Sequence, residues 1–290
     1  MAQSTRTRRS TRAMMGRSIK PRDASFDLTD EHAGRWHSDN PYISHFWNGL
    51  SLMFPEGERF FMRAVSRLRQ EVRDPQLQEE IGAFLGQEGV HTREHTKYNE
   101  TLRSQGYPVG WLEWVTRWSL RSTRVTSARW QLAITCAFEH FTATLADAVL
   151  TDPDVLKDAS PEFAALWRWH CAEEVEHKSV AFDVYEEVAP GVIGYLRRVL
   201  IMAFLSANFL PYTMVHQLLL ASRDRIVPDP REVARALQFF WTRPGLIPRG
   251  LRLYLAYYRP GYRPWDHDNA AQVERWRSRY DGNDPGSASV

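Results

Sequence analysis

Glu88-Gly-Val-His91 and Glu174-Val-Glu-His177 each set a carboxylate and an imidazole three residues apart. On a helix, positions i and i+3 share a face, so each pair can aim both groups at one divalent cation. Such pairs are common by chance, and their placement says more than their number. Glu58 lies 15 residues before Arg73 and Glu88 lies 15 after it. In an antiparallel helical hairpin turning at Arg73, the two would stand at one level. Glu139 lies 12 residues before Thr151, and Glu174 lies 14 after Ser160. These two also meet near one level across a second turn. Each hairpin then offers one single Glu and one Glu-x-x-His, enough acid and imidazole to hold two cations.

The elements that must position these groups are helical. Apolar residues recur at helical spacing, and no stretch alternates as hairpin strands do. Helices are expected over 42–54 and 56–72, interrupted near Pro55. Asp74-Pro75 opens the next, which runs to about Ser104 and closes at Gly106 and Pro108. A Trp-rich crossover at 111–123 is long enough to cross between the hairpins. A long helix follows at about 126–150. Ser160 as N-cap with Pro161 starts another, reaching about Val188. Val199 to Ala221 is the most apolar run and would span a bilayer by length. Ser206, Asn208, Pro211, His216 and Gln217 interrupt it, which favours a buried fifth helix over a membrane-associated one. A helix at about 230–242 and an aromatic segment at 246–258 complete the pattern.

Glu58, Glu88-x-x-His91, Glu139 and Glu174-x-x-His177 resemble the ferritin-like di-iron carboxylate superfamily, in which four helices supply this ligand set. The resemblance implies an all-α, ferritin-like four-helix bundle with additional C-terminal helices. Within that superfamily, His170-x-x-x-Glu174-x-x-His177 resembles the arylamine N-oxygenases, which carry a histidine one turn before the last pair. Phe-Pro-Glu-Gly-Glu-Arg-Phe-Phe (54–61) and Tyr-Arg-Pro-Gly-Tyr-Arg-Pro-Trp-Asp (258–266) resemble a bacterial family of predicted metal-dependent hydrolases, over roughly residues 30–270. Carried over position by position, the resemblance makes Glu88 and Glu174 the carboxylates between two ions. His91 would bind one ion with Glu58, and His177 the other with Glu139. His170 would add a nitrogen on the His177 side. Oxygen-rich sites with some imidazole suit Fe, Mn or a mixed Fe/Mn pair.

Each candidate has a plainer rival. Glu56 faces away if Glu58 faces in, and an acid is favoured at a helix start in any case. His95, one turn beyond His91, reads as a supporting or core residue. His140 points about 100° from Glu139 and is no ligand. Glu94, Glu173 and Glu176 read as solvated-face residues, although one of them, or Asp147, could accept a hydrogen bond from a ligand histidine. Phe61, Phe84, Phe138, Phe141 and Trp167 flank the ligands as core or as pocket wall.

The 290 residues are 43% hydrophobic and 25% charged, ordinary for a globular protein. A net charge of +2 advertises no nucleic-acid partner. Cys136 and Cys171 form no bridge framework and read as buried thiols of a cytoplasmic protein. Residues 1–25 read as a disordered basic tail, 26–270 as the dimetal domain and 271–290 as a C-terminal tail. No apolar stretch follows the basic N-terminus, so it is not a secretory signal.

The leading expectation is a non-haem di-iron, dioxygen-activating oxidoreductase. Its reaction would be N-oxygenation, hydroxylation or desaturation of a small organic substrate, apolar or an amine. No nicotinamide or flavin fingerprint is present, so an external electron-donor protein is implied. The alternatives are a dimetal hydrolase using a metal-bound hydroxide, and a non-enzymatic ferritin-like protein that handles iron and oxygen. Peripheral membrane contact and a homodimer are both open.

Overall fold

The computed structural model describes residues 19–28, 33–224 and 229–280. Among them the chain is all-α, with one isolated bridge between His37 and Ala159 and no strand. In chain order the helices are α1 (Pro41–Leu68), α2 (Pro75–Ser104), α3 (Val109–Ser122), α4 (Ala128–Thr151) and α5 (Pro161–His177). They continue with α6 (Val180–Val188), α7 (Gly191–Arg223), α8 (Pro230–Trp241), α9 (Leu246–Ala256) and α10 (Ala270–Tyr280).

Local chemistry sets where these helices begin. Asn40 Oδ1 accepts from the backbone N–H of Tyr42 and Ile43, and Asp74 accepts from Gln76 N. Proline follows each cap, where its missing N–H costs nothing. Pro161 opens α5 in the same way after Ser160, although the Ser160 side chain makes no capping bond.

Helices α1 and α2 fold back on each other as an antiparallel hairpin, as do α4 and α5. Ser51 meets His95 and Asn48 meets Tyr98, so the register that pairs Glu58 with Glu88 holds along the first hairpin. In the second, Thr142 rather than Glu139 bonds Glu174. The single Glu of α4 sits nearly one turn off the expected level, opposite His177. Helix α3 carries the chain from the first hairpin to the second.

Two apolar clusters pack above and below the level of the Glu-x-x-His motifs. One holds Trp47, Tyr98, Phe163 and Trp167, and the other Phe60, Phe84, Leu132 and Tyr185. Each fully buried large side chain contributes roughly 2–3 kcal/mol, which keeps the helices rigid around the polar layer between the clusters.

Several elements differ from the sequence expectation. Pro55 does not interrupt α1, which runs through it. The expected helix from Pro161 to Val188 breaks at Lys178 and Ser179, directly after His177. Lys178 is buried there and donates to the His267 carbonyl and to Asn269 Oδ1. Helix α7 is not the buried helix that its polar interruptions suggested. One stripe, including Arg198, Met202, His216 and Leu220, packs inward, while Leu200, Phe204, Met214 and Leu218 lie exposed. By length and composition α7 could cross a membrane.

Residues at both ends of the expected domain are also structured. Residues 19–28 lie against α2 and α5 through Arg22 and Phe26, and α10 packs on α5. The basic residues before Ile19 and the tail after Tyr280 lie outside the described residues.

Candidate metal centre

Four helices deliver the polar layer. Glu58 comes from α1, Glu88 and His91 from α2, Glu139 from α4, and His170, Glu174 and His177 from α5. All seven are at most 3% exposed. Ligand atoms of Glu58, Glu88 and His91 lie within 4.8 Å of one another, as do those of Glu88, Glu139 and His177. Glu88 belongs to both trios and would lie between two ions if both trios held one. A third trio joins His91, His170 and Glu174.

Helices α2 and α5 run antiparallel, which sorts the histidines. His177 Nε2 lies 3.1 Å from Glu88 Oε1 and 3.6 Å from both Glu139 Oε2 and Glu174 Oε2. His170 stands at the other end of Glu174, with Nε2 3.3 Å from Glu174 Oε1. Its ring is 4.3 Å from that of His91. His170 therefore joins the His91 side, not the His177 side expected from the resemblance. The reason is geometric: His170 is one turn before Glu174 and His177 about one turn after, so they flank it along the axis.

The donor set fits a pair of divalent cations. Both oxygens of Glu58, Glu88 and Glu139 are buried without a hydrogen-bond partner, as are His170 Nε2, His177 Nε2 and both ring nitrogens of His91. Leaving so many polar atoms unpaired costs several kcal/mol unless a cation answers them. The protonation tendencies agree. Burial, and then the Glu88 charge, push the Glu58 and Glu139 carboxyls well above the usual range. Burial opposes the charge on Glu174, yet His177 and His170 hold its carboxyl well below normal. Burial and neighbouring His170 push His91 down to about 3. Cations would let every carboxylate ionise and every imidazole stay neutral.

The family model described as predicted metal-dependent hydrolase matches residues 20–268. The chain belongs to this family. No curated protein and no solved structure matches it. In this member of the predicted metal-dependent hydrolase family, the matched span covers every residue of the buried layer.

The same span contains the groups that orient His170 and His177, and sequence reasoning missed most of them. Asn99 Nδ2 donates to Ser51 O (3.2 Å) and Glu113 Oε1 (3.3 Å), which turns Asn99 Oδ1 toward the Ser51 hydroxyl (2.9 Å). The hydroxyl proton goes to Asn99, so Ser51 Oγ accepts from His95 Nδ1 at 2.9 Å. His95 Nε2 is then bare and accepts from His170 Nδ1 at 3.1 Å. His170 Nε2 is left with its lone pair facing the centre. Phe54 stacks on the His170 ring at 4.9 Å, and Trp167 edges against it.

His177 is set by a second device. Gln87 Nε2 donates to Glu176 Oε2 (2.8 Å) and Lys20 O (3.2 Å), so Gln87 Oε1 accepts from His177 Nδ1 at 3.0 Å. His177 Nε2 carries the free lone pair. For His91, Nε2 lies 3.2 Å from Glu173 Oε2, and Nδ1 faces Glu174 at 3.7 Å. Arg22 binds Glu173 at 2.8 Å and Glu176 at 2.7 Å.

Glu94, Glu173 and Glu176 are thus buried, not solvated as expected. Their partners are Arg93, Lys97 and Arg22, which lie up to 154 residues away in sequence. Asp147 instead accepts from His267. His140 donates to the Leu253 carbonyl and accepts from Tyr262, away from the centre. Glu56 pairs with Arg59 and Arg117. Cys136 and Cys171 are free, buried thiols.

Proposed function

We propose that the chain is a dimetal oxidoreductase that activates dioxygen on a small apolar or amine substrate. Glu58, Glu88, His91, Glu139, His170, Glu174 and His177 would hold two ions, iron or an iron/manganese pair. The observation that carries this reading is the burial of the whole ligand set between two aromatic clusters. Dioxygen is small and apolar and enters such a buried layer readily, whereas hydrolysis needs water there; a polar organic substrate sheds its hydration in either reading. The bound ions would supply a site for dioxygen and for electron transfer. A monooxygenation inserts one oxygen atom and reduces the other to water, taking two electrons from an external donor and two protons from solvent. Residues of this chain hold the ligand nitrogens in one tautomer, and Phe54, Phe84 and Trp167 pack against His170 and His177 and keep bulk water out.

A second reading is favoured by the family's description: a dimetal hydrolase in which the ions activate a water molecule. Both readings share the ligand set and part on the redox role of the metal. The test loads the metal-free protein with ferrous iron under argon, or with zinc, and then supplies air. Oxygen uptake by the iron form, above that of a Glu88→Ala variant, supports the first. Zinc-dependent cleavage of model esters or amides, with no oxygen uptake by the iron form, replaces it with the second.

A further inference from the structure

We propose that α3, α7 and α9 form a docking face for an anionic lipid bilayer, on which the protein sits without crossing it. Helix α7 lies between the other two. Tyr212 of α7 bonds Thr116 of α3, and Ser206 of α7 accepts from Tyr254 of α9. These bonds tie α3 and α9 to different flanks of α7, and each of the three helices carries an outward apolar stripe.

The proposed face is apolar and rich in the side chain that favours bilayer interfaces. Trp111, Trp114 and Trp118 of α3 repeat at helical spacing and are 53%, 56% and 63% exposed. Leu200, Phe204 and Leu218 of α7 are exposed as well, as are Leu251 and Leu255 of α9. Indole rings prefer the headgroup level, and an apolar stripe along a helix buries itself in the acyl boundary below.

Charge decides the occupant. The chain holds 35 acidic residues, yet α7 has none in 33 residues and α9 none in 11. Glu113, the one acid of α3, is tied to Arg103. Arg121, Arg124 and Arg252 are exposed on or beside these helices. An acid-free, arginine-bearing apolar face complements anionic headgroups. A second copy would bring no free acid to pair with these arginines. Nor does α7 cross the membrane, since its inner stripe packs along α1 and α4.

The proposal is independent of the reaction at the metal centre. Its test floats the full-length protein with phosphatidylcholine vesicles that contain, or lack, 30 mol% phosphatidylglycerol. Binding to the anionic vesicles at 0.1 M salt, lost at 0.5 M salt and on carbonate washing, is expected. Brominated lipids should quench part of the tryptophan fluorescence in the unaltered protein. Arg121→Glu with Arg124→Glu should lower binding at least about 25-fold, at roughly five-fold for each arginine removed. Replacing Trp111, Trp114 and Trp118 together by Ser should abolish the quenching, with circular dichroism and metal content unchanged. The proposal is overturned by no binding to anionic vesicles, by no quenching of the unaltered protein, or by carbonate-resistant insertion. Dimers that dissociate in the tryptophan variant and bind no lipid would overturn it too.

Discussion

Asn99 Nδ2 donates to the Ser51 carbonyl across 3.2 Å. Ser51 stands one turn before Pro55, whose missing N–H would leave that carbonyl without its helical donor. The Asn99 side chain replaces the donor, so α1 continues through the proline and delivers Glu58 to the centre. The same bond fixes which way the Asn99 amide points, and through Ser51 and His95 it fixes the tautomer of His170.

The first prediction concerns the ligands. Glu88 belongs to two trios, so Glu88→Ala should reduce bound metal from two ions to fewer than about one per chain. His177→Ala should do nearly the same. His140→Ala, adjacent to Glu139 but bonded elsewhere, should retain the metal. Plasma emission spectroscopy of the three variants after identical iron loading checks this, and equal content in all three would refute the assignment.

The second concerns the relay to His170. Ser51→Ala removes the acceptor that holds the His95 proton on Nδ1, so His95 can place its proton on Nε2 and turn the His170 lone pair away from the centre. Metal affinity should fall 10- to 100-fold, the usual effect of losing such a partner. Val65→Ala, a cavity variant in the same helix, should lower stability without that loss. Competition with a chelator dye measures the affinity, and urea unfolding measures the stability.

Arg22 provides the third. Arg22→Met leaves Glu173 buried beside His91 without its guanidinium partner, and burial already pushes that carboxyl up to about 7 against the pull of Arg22. A loss of about 3 kcal/mol is expected. Glu176 is affected less, because Arg277 and Gln87 also bind it. Adding Glu173→Gln should recover most of the loss, and urea unfolding of the single and double variants gives the coupling energy.

The fourth is a pH dependence away from the metal residues. His37 is buried and donates from Nε2 to the Val155 carbonyl at 2.7 Å. Burial holds its pKa below the ordinary 6.5, despite the Val155 bond. Below pH 6.5 the unfolded chain takes up a proton that the folded chain resists. Stability is therefore full above 6.5 and falls as the pH drops, by at most about 1.4 kcal/mol per pH unit for this group. His37→Gln should flatten the loss between pH 7 and 5.5, as read by urea unfolding at each pH.

Much of this was legible from residue types and spacing. Equal distances from a turn foretold that Glu58 and Glu88 would face each other, because a hairpin of straight helices converts sequence distance into height. Helix starts at Pro75 and Pro161 followed from proline at the first helical position, although Ser160 does not cap as expected. The surrounding groups were less legible. Glu173 and Glu176 look like solvated acids within their own helix, and only distant partners, Arg22 for both and Arg277 with Gln87 for Glu176, offset the cost of burying them. Gln87 and Asn99 carry no local mark of function, although each lies within one turn of a ligand or supporting histidine, which is the signal that could have found them.

By itself, the sequence determined an all-helical chain, two Glu-x-x-His faces and the family to which they belong, because these depend on local periodicity and residue identity. Tertiary structure alone decided which trio each histidine joins, which ring nitrogen faces the centre, and that α7 turns an apolar stripe outward. Those properties depend on the relative height and rotation of helices, and on amide and imidazole orientations. Partners far away in the chain set them, through packing and hydrogen bonds that no local pattern encodes.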